Sequence, residues 1–304
     1  MNKKIAVMGA GIIATGIGKT LIDNGYEVNC FNRTKENASE LIQAGAAYFT
    51  SPAAAAAGAD FVISAVWNKD AFDSIMLGDD GLYKNASKGQ IFIDMSTQLP
   101  DTALDAAAEF AKKGAFFIDA PIHGSKAEAN SGGLWIMAGG EREIYDRASV
   151  VLSVLGETVH YMGSSGKGYA SKLCGNHLVS TVVAAVCESI VLASKAGIDP
   201  EEIVKVWMES DFRSPVVGGV GGSVIDRDFD VSFHLRTMVK DTELIRNFSE
   251  SLDVPVFLSN IVHEVNKVGQ NMGFGEENAS AVVKVFEHMA GTEVKKNREG
   301  SENS

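Results

Sequence analysis

The chain has 304 residues, 45% hydrophobic and 22% charged, an ordinary globular composition with length enough for two domains of typical size. Asp and Glu outnumber Lys and Arg by 39 to 27, and the resulting net charge of -12 argues against general affinity for nucleic acid or an anionic membrane. Cys30, Cys174 and Cys187 are odd in number and widely spaced, with no C-x-x-C pair, so neither a disulfide framework nor a zinc site is expected, and a reducing cytoplasm is the expected location.

In chain order, the opening apolar run stops at Gly9 and is too short for the apolar region of an export signal, so residues 5–8 read as a first strand. Further strands are expected at residues 27–31, 61–66, 91–95 and 116–119, with helices between them that end at Gly25, Gly45 and Gly114. Alternation of nearly continuous apolar strands with helices predicts a doubly wound, mostly parallel sheet covered on both faces. An antiparallel addition is expected at residues 134–138 and 159–162, flanking a helix over 141–155.

Beyond Gly163-Ser164-Ser165-Gly166 strand signals vanish, and a helix of about 30 residues, roughly 45 Å long at 1.5 Å per residue, is predicted from Gly168 to a stop at Gly197. Its most apolar part, residues 178–196, carries Glu188 and Lys195 and reads as a buried helix rather than a membrane span. Helices follow at 200–210, 240–252, 255–269 and 278–288. The expected organisation is an α/β Rossmann domain over 1–162, an all-α substrate and dimerisation domain over 163–290 joined through the long helix, and a disordered polar tail over 291–304.

Gly9-Ala10-Gly11-Ile12-Ile13-Ala14 fits G-x-G-x-x-A and lies between the first strand and a helix. Gly9 permits the tight turn, Gly11 lets a pyrophosphate approach the backbone, Ala14 permits close helix packing, and the helix N-terminus favours the negative charge. Ala10, Ile12 and Ile13 complete this cofactor turn. Where an NAD-selective site would place an acid after the second strand, Asn32-Arg33-Thr34-Lys35 stands instead. A neutral Asn32 removes repulsion, and Arg33, Thr34 and Lys35 can hold a 2′-phosphate, so NADP(H) is preferred over NAD(H). Arg33 and Lys35 as plain solvated charges is the alternative.

Lys172 and Asn176 lie four apart on the predicted long helix and share one face, a pairing too common to signify by itself. The surrounding pattern Gly163-x-x-Gly166-x-Gly168-x-x-x-Lys172-x-x-x-Asn176 resembles the interdomain segment of the β-hydroxyacid dehydrogenases, the family of 3-hydroxyisobutyrate dehydrogenase. Asp94-Met95-Ser96-Thr97 resembles the family's D-x-S-T stretch, Asp119-Ala120-Pro121-Ile122-His123-Gly124-Ser125 its D-A-P-V-S-G-G substrate loop, and Lys240-Asp241 its K-D pair.

The resemblance implies that Lys172 exchanges a proton with the substrate oxygen as hydride passes between substrate carbon and nicotinamide. A partly desolvated lysine near a second cation, for which Lys240 is a candidate, can serve as such an acid or base near neutral pH. It further implies that Asn176 orients the substrate and that Val66, Trp67 and Thr97 lie against the cofactor, with Lys240 closing over it. Ser96 is assigned to substrate binding, although it is within reach of either ligand.

His123, Gly124 and Ser125 form the expected substrate loop. The family's Ser is replaced by His123 and its second Gly by Ser125, a departure from its pattern, while the run Gly124-Ser125-Lys126 followed by Gly132-Gly133-Leu134 is most similar to the glyoxylate and succinic semialdehyde reductase branch. His123 could add a hydrogen-bond donor, widen specificity or fill the wall. The expected activity interconverts a small carboxylated aldehyde and its hydroxyacid in a homodimer or homotetramer, at a cleft between the domains, without metal, nucleic acid or membrane. An imine reductase and a non-catalytic NADP-binding interaction protein are the alternatives on this scaffold; presence of Lys172 and lack of a basic segment weigh against both.

Overall fold

The structure is a computed structural model and describes residues 4–296. It divides into two units, Met1–Lys172 and Leu173–Ser304.

The first unit holds β1 (Lys4–Met8), β2 (Glu27–Phe31), β3 (Ala47–Tyr48), β4 (Phe61–Ser64), β5 (Ile91–Asp94), β6 (Phe116–Asp119), β7 (Ile122–His123), β8 (Leu134–Gly139) and β9 (Gly156–Gly163). They form one sheet in the order β3-β2-β1-β4-β5-β6-β8-β7, with β9 pairing β8. The first six are mutually parallel in the Rossmann order 3-2-1-4-5-6. β8 runs antiparallel to β6 and β7 and parallel to β9, which it reaches through the helix Arg142–Leu155, so the predicted addition is antiparallel to the main sheet. The short β3 and β7 were not expected, since two residues are too few to show a period. β4 and β5 stop earlier than predicted, at Ser64 and Asp94.

Burial on both faces explains why these strands read as continuous apolar runs. Along β1, Ile5 and Val7 enter one core while Ala6 and Met8 enter the other; on β5, Ile91 and Ile93 oppose Phe92. Helix Ile12–Asp23 covers the first face with Ala14, Ile17 and Leu21. Helix Pro100–Ala111 covers the second with Ala103, Ala106 and Phe110, whose ring stacks on Phe92 with centroids 3.8 Å apart. Gly25, Gly45 and Gly114 follow their helices at positive φ of 79°, 112° and 66°, as expected of C-terminal stops.

The long helix runs Lys167–Lys195, and its later turns supply Val183, Val186, Cys187, Ile190 and Val191 to the core of the second unit. By length and composition it could cross a membrane, and the five residues named here are buried in that core. Helices Pro200–Glu209, Pro215–Asp226, Leu235–Ser251, Phe257–Asn271 and Val283–Ala290 complete this unit, with a 3-10 turn Ala279–Val282 leading into the last.

Helix Pro215–Asp226 escaped the sequence because Gly218, Gly219, Gly221 and Gly222 lower its propensity by about 1 kcal/mol each. Contacts supply the reason for two of them. A Cβ on Gly221 would stand 2.8 Å from Val204 Cγ1, and one on Gly218 would stand 3.0 Å from Met208 Cε, so these glycines permit close approach to helix Pro200–Glu209. Ser214 caps the helix by accepting from Val217 N–H, and Pro215 opens it.

Within the expected tail, residues 291–296 are described and make specific contacts. Val294 is fully buried, its N–H donates to Glu287 Oε1 at 2.8 Å, and Lys296 pairs with Asp226 at 2.6 Å. The remainder of that tail, 297–304, lies outside the described residues.

Candidate active site

At the end of β1 the backbone turns through Gly9, with φ of 106° and an N–H donated to Phe31 O at 2.9 Å. A Cβ there would meet Ala65 O at 2.8 Å, so both conformation and space require glycine. Gly11 caps the helix Ile12–Asp23 and differs in kind: a Cβ on it would meet nothing within 4 Å. Its bareness leaves open the approach to the helix N-terminus, where the first helical bond runs from Thr15 N–H to Gly11 O. The N–H groups of Ile12, Ile13 and Ala14 therefore precede the helical ladder, and the first turn carries no acidic side chain. Such a cradle fits a pyrophosphate.

At the end of β2, the Asn32 amide donates to Thr34 O at 2.7 Å, and Asn32 O accepts from the Tyr48 hydroxyl at 3.2 Å. Arg33, Thr34 and Lys35 are exposed beyond this small knot, with Lys35 Nζ 5.4 Å from the Tyr48 ring centroid. At the ends of β4 and β5, Val66 N–H donates to Ser96 Oγ at 2.9 Å, Thr97 is half-buried and Trp67 is 51% exposed.

Two buried carboxylates underlie the start of the long helix. Asp94 accepts from the hydroxyls of Ser64 at 2.5 Å, Ser96 at 3.0 Å and Tyr169 at 2.6 Å, and from Ser96 N–H at 3.1 Å. Burial raises its pKa while these bonds oppose the rise. Ser96 is thus tied to both Asp94 and Val66. Asp119 accepts Gly166 N–H on one oxygen and Tyr169 N–H on the other, each at 2.9 Å. Its burial pushes the carboxyl up to about 7 against those N–H bonds. Burial and the Asp94 carboxylate hold the Tyr169 phenol well above its ordinary range.

The glycine pattern before Lys172 follows from this docking. Gly163 and Gly166 have φ of 120° and 87°, and a Cβ on Gly168 would stand 2.4 Å from Asp119 O and 2.5 Å from Met137 O. The helix can begin against β6 and β8 only without side chains there. Asp94, Asp119 and Tyr169 were not predicted as site residues; the signal available for the two acids was that each opens a matched segment.

Lys172 follows one turn after Gly168 and is only 8% exposed. Its Nζ lies 3.2 Å from Nδ1 of His123, which is half-buried on β7 and paired with Trp135 of β8. The next two loop residues are internally engaged. Gly124 has φ of 131° and packs against Leu134 and Glu128, while Ser125 donates both N–H and Oγ–H to Glu128 Oε2 at 2.7 and 2.6 Å, capping the helix Lys126–Ser131. These bonds hold the Glu128 carboxyl below its ordinary range.

In the helical unit, Asn176 Nδ2 donates to Asp241 Oδ2 at 2.7 Å, and Lys240 Nζ pairs with Asp241 Oδ1 at 2.7 Å. Asn176 and Asp241 are buried, so a single carboxylate anchors the amide and balances the Lys240 charge. Among the described residues no group of three or more His, Cys, Asp or Glu could hold a metal.

Comparison with known proteins agrees with this construction. Residues 4–163 match the model of the NAD binding domain of 6-phosphogluconate dehydrogenase, and residues 166–286 match that described as NAD-binding of NADP-dependent 3-hydroxyisobutyrate dehydrogenase. The chain is 28% identical to glyoxylate/succinic semialdehyde reductase 2 of Arabidopsis thaliana over 93% of its own length and 79% of that protein's. It is likewise 28% identical to the mitochondrial 3-hydroxyisobutyrate dehydrogenase of Rattus norvegicus, over 91% and 85% of the two chains. The fold matches the solved 3-hydroxyisobutyrate dehydrogenase of Salmonella typhimurium with a TM-score of 0.84 at 23% identity, covering 93% of this chain and 99% of the other. With a dinucleotide cradle at Gly9–Gly11 and both halves of the chain matched in order, the chain belongs to the β-hydroxyacid dehydrogenase family and is an NAD(P)-dependent oxidoreductase acting on CH–OH groups.

Proposed function

We propose that the protein is an NADP(H)-preferring reductase of small carboxylated semialdehydes, also able to run the reverse oxidation of the hydroxyacid, with Lys172 as its general acid and base. The observation that carries this reading is the burial of Lys172 at the start of a helix docked on the C-terminal ends of the parallel strands, the edge where such sheets bind ligands. A bound nicotinamide supplies or receives the hydride. Lys172 gives a proton to the carbonyl oxygen as alkoxide charge develops, and takes one from the hydroxyl in the reverse direction. Asn176, one helical turn beyond and anchored by Asp241, orients the substrate.

Gly9, Ala10, Gly11, Ile12 and Ile13 are assigned to the pyrophosphate, Arg33, Thr34 and Lys35 to the 2′-phosphate, and Val66, Trp67, Thr97 and Lys240 to the rest of the cofactor. The neutral Asn32, tied to its own loop, supports NADP over NAD because it brings no carboxylate toward the phosphate. Ser96, His123, Gly124 and Ser125 border the substrate. Engagement of Ser96 by Asp94 gives it the part of shaping the end of β5, and engagement of Ser125 by Glu128 that of shaping the substrate loop, as well as lining the site.

The helical unit is assigned to substrate binding and self-association as a homodimer or homotetramer, supported by the exposed Leu252, Val254, Phe257, Leu258 and Ile261. NADPH consumption across glyoxylate, succinic semialdehyde, methylmalonate semialdehyde, tartronate semialdehyde, sulfonated analogues and cyclic imines tests the proposal. Turnover of a carboxylated aldehyde supports it, whereas turnover of cyclic imines alone would replace it with imine reduction.

A further inference from the structure

We infer that His123 is a positioning residue that acts through Lys172: its ring nitrogen Nδ1 accepts a hydrogen bond from the ammonium and aims the remaining N–H groups at the substrate oxygen. The inference rests on the general-acid reading of Lys172 given above. An ammonium has donors and no acceptor, so at the 3.2 Å separation the ring nitrogen facing it must present a lone pair. The neutral ring therefore carries its proton on Nε2.

The two partners differ in rigidity, which decides who positions whom. Lysine ends a flexible four-carbon stem rich in rotamers. Imidazole swings on only two torsions, and the backbone beneath it is fixed from three directions. Ile122 and His123 pair with Ile136 and Trp135 of β8. Gly124 is confined by Leu134 and Glu128, since a Cβ there would stand 2.9 Å from Leu134 Cδ2 and 3.1 Å from Glu128 Cβ. Ser125 is held by the Glu128 cap.

The Lys172 backbone is fixed by Asp119 on Gly166 and Tyr169, a docking that acts on main-chain N–H groups. The imidazole acts on the side-chain nitrogen itself. In reduction the ammonium parts with one proton, N–H to O–H, while the substrate carbon gains the hydride; the bond to Nδ1 keeps the other donors from turning toward the loop. This role uses the ring as an acceptor, which the donor and wall-filling alternatives do not.

Asn carries an acceptor oxygen where His carries Nδ1, so His123→Asn retains the proposed bond and His123→Ala removes it. The Ala variant is expected to lose about 10- to 100-fold in kcat, the scale of a misplaced reacting group, with the Kd for NADPH unchanged by fluorescence titration. The Asn variant is expected to return kcat to within about threefold of wild type on that same scale. Full kcat in His123→Ala, equal loss in both variants, or a rise in KM for the aldehyde with kcat intact would each overturn the inference.

Nitrogen-15 NMR of the wild-type imidazole gives a readout independent of turnover. A bare, hydrogen-bonded Nδ1 with a protonated Nε2 supports the pairing, and a protonated Nδ1 at neutral pH overturns it. Full turnover by Lys172→Ala would instead defeat the general-acid reading, a result distinguishable from every outcome above.

Discussion

A methyl group on Gly168 would stand 2.4 Å from the carbonyl oxygen of Asp119, so the backbone of the long helix is seated directly on the end of β6. Everything proposed for Lys172 depends on this seat, because the lysine projects from the helical turn that follows. Gly168→Ala is expected to destabilise the protein by about 1–3 kcal/mol through overpacking against backbone that cannot yield. It should also lower kcat more than it weakens NADPH binding at Gly11. Thermal unfolding with NADPH titration checks this; an unshifted melt would mean that the contact relaxes freely.

Asp119 gives stability a pH dependence of predictable sign. Burial raises its carboxyl from 3.8 to about 7 in the folded protein, so the folded state binds the proton more tightly than the unfolded chain. Its contribution is fully present below about 4 and is lost as pH rises through about 7, after which it is constant. Asp119→Asn removes that slope. It also sets an amide N–H2 against the Gly166 or Tyr169 N–H, at a cost of about 1–3 kcal/mol. Urea unfolding of both proteins between pH 4 and 8 measures the difference; parallel curves would refute the assignment.

Arg33 lies exposed past the Asn32 knot and is the residue proposed to hold a 2′-phosphate. Loss of a charge-assisted bond of about 1.5–3 kcal/mol predicts that Arg33→Ala raises KM for NADPH by roughly 10- to 100-fold. KM for NADH should scarcely change. Steady-state kinetics with both cofactors decides, and equal effects would return Arg33 to the status of a solvated charge.

Phe257 is 75% exposed and Ile261 62%, one turn apart on helix Phe257–Asn271. If this row is the contact between copies, Phe257→Glu with Ile261→Lys is expected to reduce the solution mass to that of one chain. Light scattering after size exclusion provides the measurement. An unchanged multimer would place self-association elsewhere.

Legibility in the sequence followed the strength of local periodicity. The parallel strands are visible because both faces are buried, and the cofactor turn because Gly9 and Gly11 have separate steric tasks. Helix Pro215–Asp226 was hidden because its glycines serve packing against Val204 and Met208 at the expense of propensity. The contacts of residues 291–296 are not legible in the sequence, because one buried Val294 and its bond to Glu287 make no pattern. At the site, Lys172 and Asn176 stood out through the surrounding motifs. Their partners His123 and Asp241 were present in the matched segments, but pairing across 49 and 65 residues of chain is a property of the fold.

The central claim is that Lys172 moves the proton. The most direct measurement is kcat for NADPH-dependent reduction of the preferred semialdehyde by Lys172→Ala, with Kd for NADPH measured on the same protein. A fall of about 10²- to 10⁴-fold with cofactor affinity retained is the predicted result. Wild-type turnover by Lys172→Ala would contradict it.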